Sequence, residues 1–313
     1  MSEHDVIFDS MGSEARLIVD TPARAAQARR FLERFEAELS RFRPDSDLCR
    51  LNADPSDAPA AAPLLRRAVR AGLWAAERTG GLVDPTLIGA LETAGYAGDR
   101  RAPELPLAEA LALAPRRAPA APDPAARWRR IEVDDRLGVV RRPPALRFDT
   151  GGVGKGLAAD LLAASLAAAP RWAVDCGGDL RVGAPESAPF AIGVRHPLTG
   201  ETIRELSLHR GAVATSGLDV RLWRRADGRP AHHLLDPATG EPAWTGLVGA
   251  TALAPTALEA EALAKAALLS GPARAGRWLG AYGGLAILDD GDVIAFGPLR
   301  RRPVIRLPKV RAA

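Results

Sequence analysis

Asp149-Thr150-Gly151-Gly152-Val153-Gly154-Lys155-Gly156-Leu157-Ala158-Ala159-Asp160 is the stretch on which the reading of this chain turns. Glycine carries no Cβ, so a loop rich in it lets amides and carbonyls approach a ligand closely. Asp149 precedes the loop, Lys155 sits inside it, and Asp160 follows. Such a group suits a phosphate-bearing ligand and a cation. The plain alternative is a glycine turn between a strand and a helix. Two common phosphate motifs fail here. A P-loop requires glycine where Asp149 stands and a hydroxyl where Gly156 stands. A dinucleotide fingerprint starting at Gly152 meets Leu157 at its third glycine position, and the frame starting at Gly154 fits only the looser form ending in Ala159.

Working outward, the chain has 313 residues, 47% of them hydrophobic and 26% charged. That is enough apolar material for a large core. The 42 basic and 38 acidic residues leave a net charge of +4. Basic runs at 116–117, 129–130 and 300–302 are short and scattered, which argues against a nucleic-acid surface. Cys49 and Cys176 show no metal-ligand spacing and suit a reducing compartment. No apolar run is long enough to span a bilayer, and the first residues show no secretory pattern. The expectation is a cytoplasmic chain.

Periodicity places a hairpin over 6–20 and helices over 23–39, 64–80, 107–113, 157–168 and 256–269. Thr256 and Glu259 fit a capping box for the last of these. A turn-rich segment is expected over 41–52, and a short helix or turn over 84–91. Strands are expected at 128–133, 139–142 and 232–235, and an antiparallel set at 172–175, 180–182, 190–194, 203–208 and 212–216. Residues 278–279, 284–289 and 292–296 read as a closing sheet. Residues 101–127, rich in Pro, Ala and Arg, read as a variable connection within a single domain over 1–313. Strand runs broken by few helices give an α+β fold.

Several separated motifs fall into one order: Met11-Gly12-Ser13; Leu39-Ser40-Arg41-Phe42 with Pro44, Ser46, Leu51 and Asn52; Val83-Asp84-Pro85-Thr86; the loop 149–160; Gly177-Gly178-Asp179; Ala214-Thr215-Ser216-Gly217; and His233-Leu234-Leu235-Asp236-Pro237 with Thr239, Gly240 and Pro242. The order resembles the ApbE family, the FAD:protein FMN transferases, from Met11 to about Gly271. The resemblance implies an ApbE-type α+β fold related to the T-fold. It implies FAD as substrate, magnesium as the usual metal, and a flavoprotein acceptor whose Thr (or Ser) receives FMN through a phosphoester. Some relatives instead hydrolyse FAD to FMN and AMP. By the same resemblance Met11, Phe42, Leu82, Val83, Asp84, Asp149 and Lys155 bind FAD, Gly152 offers a carbonyl to the metal, and His233 is the base that activates the acceptor hydroxyl, with Lys155 on the pyrophosphate. Asp160, as the second carboxylate of the glycine loop, is a further candidate contact, and Thr215 and Ser216 read equally as a ligand contact or as the cap of a strand end. A lysine can stabilise the charge that builds on a pyrophosphate, and a histidine titrates near neutrality. Taken singly, each residue has an ordinary structural reading as core, cap or turn.

One departure matters. The resemblance implies a metal-binding aspartate and threonine four residues apart on the late helix, where this chain has Glu261 and Lys265. The two share a helix face. Glu261 can still reach a cation, whereas an ammonium has only donors. Either the two form an exposed ion pair, or Lys265 takes part of the metal's place against the phosphates. Three activities follow from the resemblance: transfer of FMN, FAD pyrophosphatase activity, and FAD binding without chemistry. A serine hydrolase built on Ser216 with His232 or His233 lacks the expected nucleophile elbow.

Overall fold

The computed structural model describes residues 3–99 and 102–301. Arg101, where the variable connection opens, and Arg302 lie outside them. The strands are β1 (His4–Ser10), β2 (Ser13–Val19), β3 (Glu132–Asp134), β4 (Val139–Arg141), β5 (Trp172–Cys176), β6 (Asp179–Gly183), β7 (Phe190–Arg195), β8 (Thr202–Leu208), β9 (Arg210–Gly217), β10 (Leu222–Arg224), β11 (Pro230–His232), β12 (Leu247–Ala254), β13 (Gly284–Leu288) and β14 (Val293–Phe296). The helices are α1 (Pro22–Leu39), α2 (Asp47–Ala53), α3 (Pro63–Thr79), α4 (Ile88–Thr93), α5 (Leu107–Leu113), α6 (Gly154–Ser165), α7 (Ala257–Ser270) and α8 (Pro272–Leu279).

Eight strands form one sheet in the order β1-β2-β5-β6-β9-β12-β13-β14, every neighbouring pair antiparallel. Helix α7 packs against β9 and β12, α6 against β5 and β6, and α6 against α7. Both helices read as apolar nearly all round. Ala260, Ala262, Ala264, Ala266 and Ala267 of α7 are fully buried, as a helix between a sheet and other helices must be. This is the α+β architecture expected.

Antiparallel sheet dominates as anticipated, but its partition differs. Residues 190–208 leave the main sheet and form a separate ribbon, β7 with β8. The turn-rich segment 41–52 closes on α2, because Ser46 Oγ accepts from Cys49 N at 3.0 Å and caps a helix too short to show a period. Trp128 lies in a 3₁₀ turn, and only 132–134 of its expected strand is extended. The strand expected at 232–235 ends at His232. Trp278 and Leu279 belong to α8, started by Pro272 after Gly271, and not to a sheet. Central strand β12 had no counterpart in the sequence reading; Leu247-Val248-Gly249-Ala250-Thr251-Ala252 is buried on both faces and does not alternate. Helix α6 starts at Gly154, three residues before the expected Leu157. Thr256 caps α7 by accepting from Glu259 N at 3.2 Å, while Glu259 pairs with Arg78 at 3.3 Å. Among the described residues no helix is long and apolar enough to cross a membrane.

Candidate functional site

Two helix starts meet behind the main sheet. The first turn of a helix leaves N–H groups without an intrahelical acceptor. Each start is closed by a carboxylate from the other helix. Asp160 of α6 accepts from Ala257 N and Leu258 N, both at 2.9 Å. Glu261 of α7 accepts from Gly156 N at 2.9 Å. The crossing is so close that a Cβ on Gly156 would lie 2.7 Å from the Ala257 backbone. Glycine is required there. The same crossing carries Lys155 and Lys265 into one cleft.

The cleft measures about 780 Å³ and lies among the β1–β2 turn, the loop after α1, the loop before α4, the glycine loop and the ends of β9 and β11. Such a volume is ordinary for a small-molecule site. Met11, Phe42, Leu82, Val83, Asp84, Asp149, Gly152, Lys155, Thr215, Ser216, His233, Glu261 and Lys265 all line it. Asp160 is the exception. It lies outside the lining, spent on capping α7 and on Arg181 at 3.1 Å. Its expected role in binding is therefore corrected to a structural one.

The polar floor is densely charged. Lys155 Nζ donates to Ser13 Oγ at 2.6 Å, and burial pushes its pKa down. Lys265 Nζ donates to Glu261 Oε1 at 2.7 Å; the two side chains are 12% and 1% exposed. The exposed-pair reading of Glu261 and Lys265 is thereby excluded. Asp179, also buried in the lining, is held well above the usual carboxylate range by desolvation and then by Glu261. His233 follows β11 at the cleft wall with Nδ1 unpartnered; burial, then the neighbouring His232, drive its pKa well down, so the imidazole is neutral. His232 is fully buried against Trp244 and lowered to about 3 by burial.

Elsewhere the walls are aromatic and hydrogen-bonded. Met11 has φ 51° and Gly12 φ 66°, the paired left-handed turn of a tight hairpin. Met11 pays the steric penalty of that region, and Glu36 Oε2 accepts its N–H at 2.9 Å. Arg221 donates to Gly12 O at 2.9 Å and to the Tyr96 hydroxyl at 2.8 Å. Asp84 Oδ1 accepts from Thr86 N at 2.8 Å and Thr86 Oγ1 at 2.6 Å, leaving Oδ2 buried and unpartnered. Thr215 Oγ1 bonds Thr251 Oγ1 at 2.9 Å. Sequence reasoning gave no role to Ser13, Arg41 or Asp179, although each sat in a quoted motif, and it passed over Glu36, Tyr96 and Arg221. Those last three carry no local pattern; only long-range folding brings them here.

The carboxylate that the resemblance offers to magnesium is already committed. Such an ion is usually held by one or two carboxylates together with substrate phosphates and waters. Both Glu261 oxygens are already engaged, one by a backbone N–H and one by an ammonium. Among the described residues no three His, Cys, Asp or Glu side chains converge on a metal position.

The profile of the ApbE family matches residues 11–288. The FAD:protein FMN transferase of Salmonella typhimurium is 30% identical over 237 residues, 71% of this chain and 64% of that protein. That of Treponema pallidum is 31% identical over 267 residues, 77% of this chain and 69% of that one. The matches thus span about two thirds of these relatives' lengths. The crystal structure of the ApbE protein of Thermotoga maritima superposes with a TM-score of 0.78 at 25% identity, covering 96% of this chain and 98% of that one. The flavin transferase ApbE of Vibrio cholerae shares the fold, with a TM-score of 0.73 at 22% identity over 96% of this chain and 98% of its own. By fold, by motif order and by sequence, this chain belongs to the ApbE family.

Proposed function

We propose that this chain is a FAD:protein FMN transferase that works as one domain over 1–313. The observation that carries the reading is the convergence of the glycine loop, Lys155, Lys265 and the neutral imidazole of His233 on one cleft. FAD lies in it with its diphosphate over the α6 start, where Lys155 and the positive end of the helix dipole meet the negative charge. Met11, Phe42, Leu82, Val83 and Asp84 line the part that takes a ring system, with Asp149, Thr215 and Ser216 as polar contacts.

The hydroxyl of a threonine on a flavoprotein acceptor attacks the FMN-side phosphorus. A P–O bond forms to that oxygen, and the P–O bond to AMP breaks with its electron pair leaving on AMP. His233 takes the hydroxyl proton, which a neutral imidazole can do. Lys155 faces the developing charge. Lys265 stands where the resemblance puts a magnesium ligand, and its ammonium supplies a fixed positive charge in the ion's stead; Gly152 and Glu261 then act as backbone and anchor, not as metal ligands. A reducing compartment such as the cytoplasm suits the two free thiols.

The buried Glu261–Lys265 pair also favours a second reading, FAD binding without transfer, because an ammonium lacks the Lewis acidity of a divalent ion. The deciding experiment incubates the protein with FAD and a threonine-bearing acceptor domain, in EDTA and in magnesium. Covalent flavin fluorescence on the acceptor with AMP release supports transfer. AMP without acceptor labelling marks a pyrophosphatase, and neither product marks a binder.

A further inference from the structure

We propose that the open end of β9 docks the acceptor: an extended segment carrying its threonine pairs, through the main chain, with Thr215 and Gly217. The inference rests on the transferase reading. Strand β9 runs to Gly217, and β12 pairs with it to that end, Gly217 opposite Gly249. Its other neighbour, β6, starts only at Asp179, opposite Ala214. The chain enters β6 from β5 through the tight turn Gly177–Gly178, with φ 66° and 94°. It therefore never runs alongside the last residues of β9. Residues 215–217 keep one side of the strand open, about 10 Å of edge.

The ladder fixes which groups lie on that side. Successive residues of a strand address opposite neighbours. Ala184 N donates to His209 O at 2.7 Å, continuing the pairing of β6 with β9. Leu218 N donates to Val248 O at 3.0 Å, continuing that of β9 with β12. Odd-numbered residues of β9 thus face β6, and even-numbered ones face β12. The Thr215 C=O and both main-chain groups of Gly217 point past the start of β6. Among the described residues no backbone hydrogen bond reaches them there. Thr215 is exposed, whereas Ala214 and Ser216 beside it are buried. An open strand edge is a template for another chain, and its main-chain bonds accept many sequences. Gly177, Asp179 and Gly217, which bracket the gap, all line the cleft, as do His233 and Lys265. A segment paired at this edge enters the cleft that holds the base its threonine must meet.

The protein stays wild type in the test. A threonine-centred decapeptide is selected for flavin labelling from a library with randomised flanks. Each of its amides is then replaced in turn by an ester, which removes one N–H and adds no bulk. The open carbonyls of Thr215 and Gly217 lie two residues apart. Two esters spaced by two residues should therefore each raise the KM for the peptide about tenfold, with kcat unchanged. The ester between them should change KM by less than about twofold. A flat profile, or sensitive amides at any other spacing, overturns the docking mode while transfer itself stands. If the protein binds FAD and labels no peptide of the library, the transferase reading falls and the docking mode with it.

Discussion

Replacing Lys265 by methionine keeps the length of the side chain and removes its charge. Its effect separates a buried electrostatic anchor from a decorative helix pair. An exposed pair at this spacing is worth about 0.3–0.5 kcal/mol. Removing one partner of a buried pair costs about 3–5 kcal/mol, because the other charge is left uncompensated. Glu261 is 1% exposed and Lys265 12%, so the buried figure applies. Glu261 keeps its bond from Gly156 N, which moves the expectation to the low end, about 3 kcal/mol. At roughly 2 °C per kcal/mol for a chain of this size, Tm should fall by about 6 °C in a calorimetric scan. The double variant with Glu261→Gln should recover part of that loss, since the stranded carboxylate is gone. In EDTA, Lys265→Met should weaken FAD binding, and Lys265→Thr, which offers an oxygen in place of an ammonium, should make binding depend on magnesium. A Tm within about 1 °C of wild type, together with unchanged FAD affinity in EDTA, would refute the reasoning.

His233→Ala should leave FAD affinity intact and slow acceptor labelling by roughly 10²–10⁴, read from in-gel flavin fluorescence with time. Asp160→Ala should destabilise the fold by about 1–3 kcal/mol, since two α7 amides lose their partner, yet leave FAD affinity within about twofold because the residue lies outside the cleft. His232, held neutral to about pH 3, makes stability fall with acid: above the ordinary histidine value neither state is protonated, and below it only the unfolded state gains the proton. Unfolding free energies from urea titrations should therefore drop between about pH 6.5 and pH 3 by up to roughly 1.4 kcal/mol per pH unit, and His232→Gln should flatten that slope.

How far the chain could be read in advance depends on the range of the interaction. The hairpin, α1, α3 and α7 were legible because their apolar periods or caps lie within a few residues. β12 was not, because a strand buried on both faces has no alternation to display. The cleft was legible as a set of motifs, since Met11, Asp84, Lys155 and His233 each sit in one. The role of Asp160 was not. Its position one turn after Lys155 reads as a binding residue, and only the α6–α7 crossing turns it into a cap. Glu261 and Lys265 were legible as partners from their spacing, but the spacing carried no information on burial, and burial decides what the pair does.

The crossing of α6 and α7 also explains how two ammonium groups are tolerated in one cleft before any anion arrives. Like charges at short range repel strongly where water is scarce. Lys265 is offset by Glu261, which the Gly156 amide holds in place. Among the described residues Lys155 Nζ bonds Ser13 Oγ and no carboxylate, and burial disfavours its charge. Asp179, next in line, is pushed toward its protonated form by desolvation and by Glu261. Burial thus works against the charged forms of both Lys155 and Asp179. A diphosphate entering over the α6 start reverses the balance, since each new negative charge favours the ammonium form of Lys155. Binding should then take up a proton. Isothermal titrations of FAD in buffers of different ionisation enthalpy measure that uptake directly; identical heats in every buffer would mean that Lys155 was charged throughout and that burial does not control it.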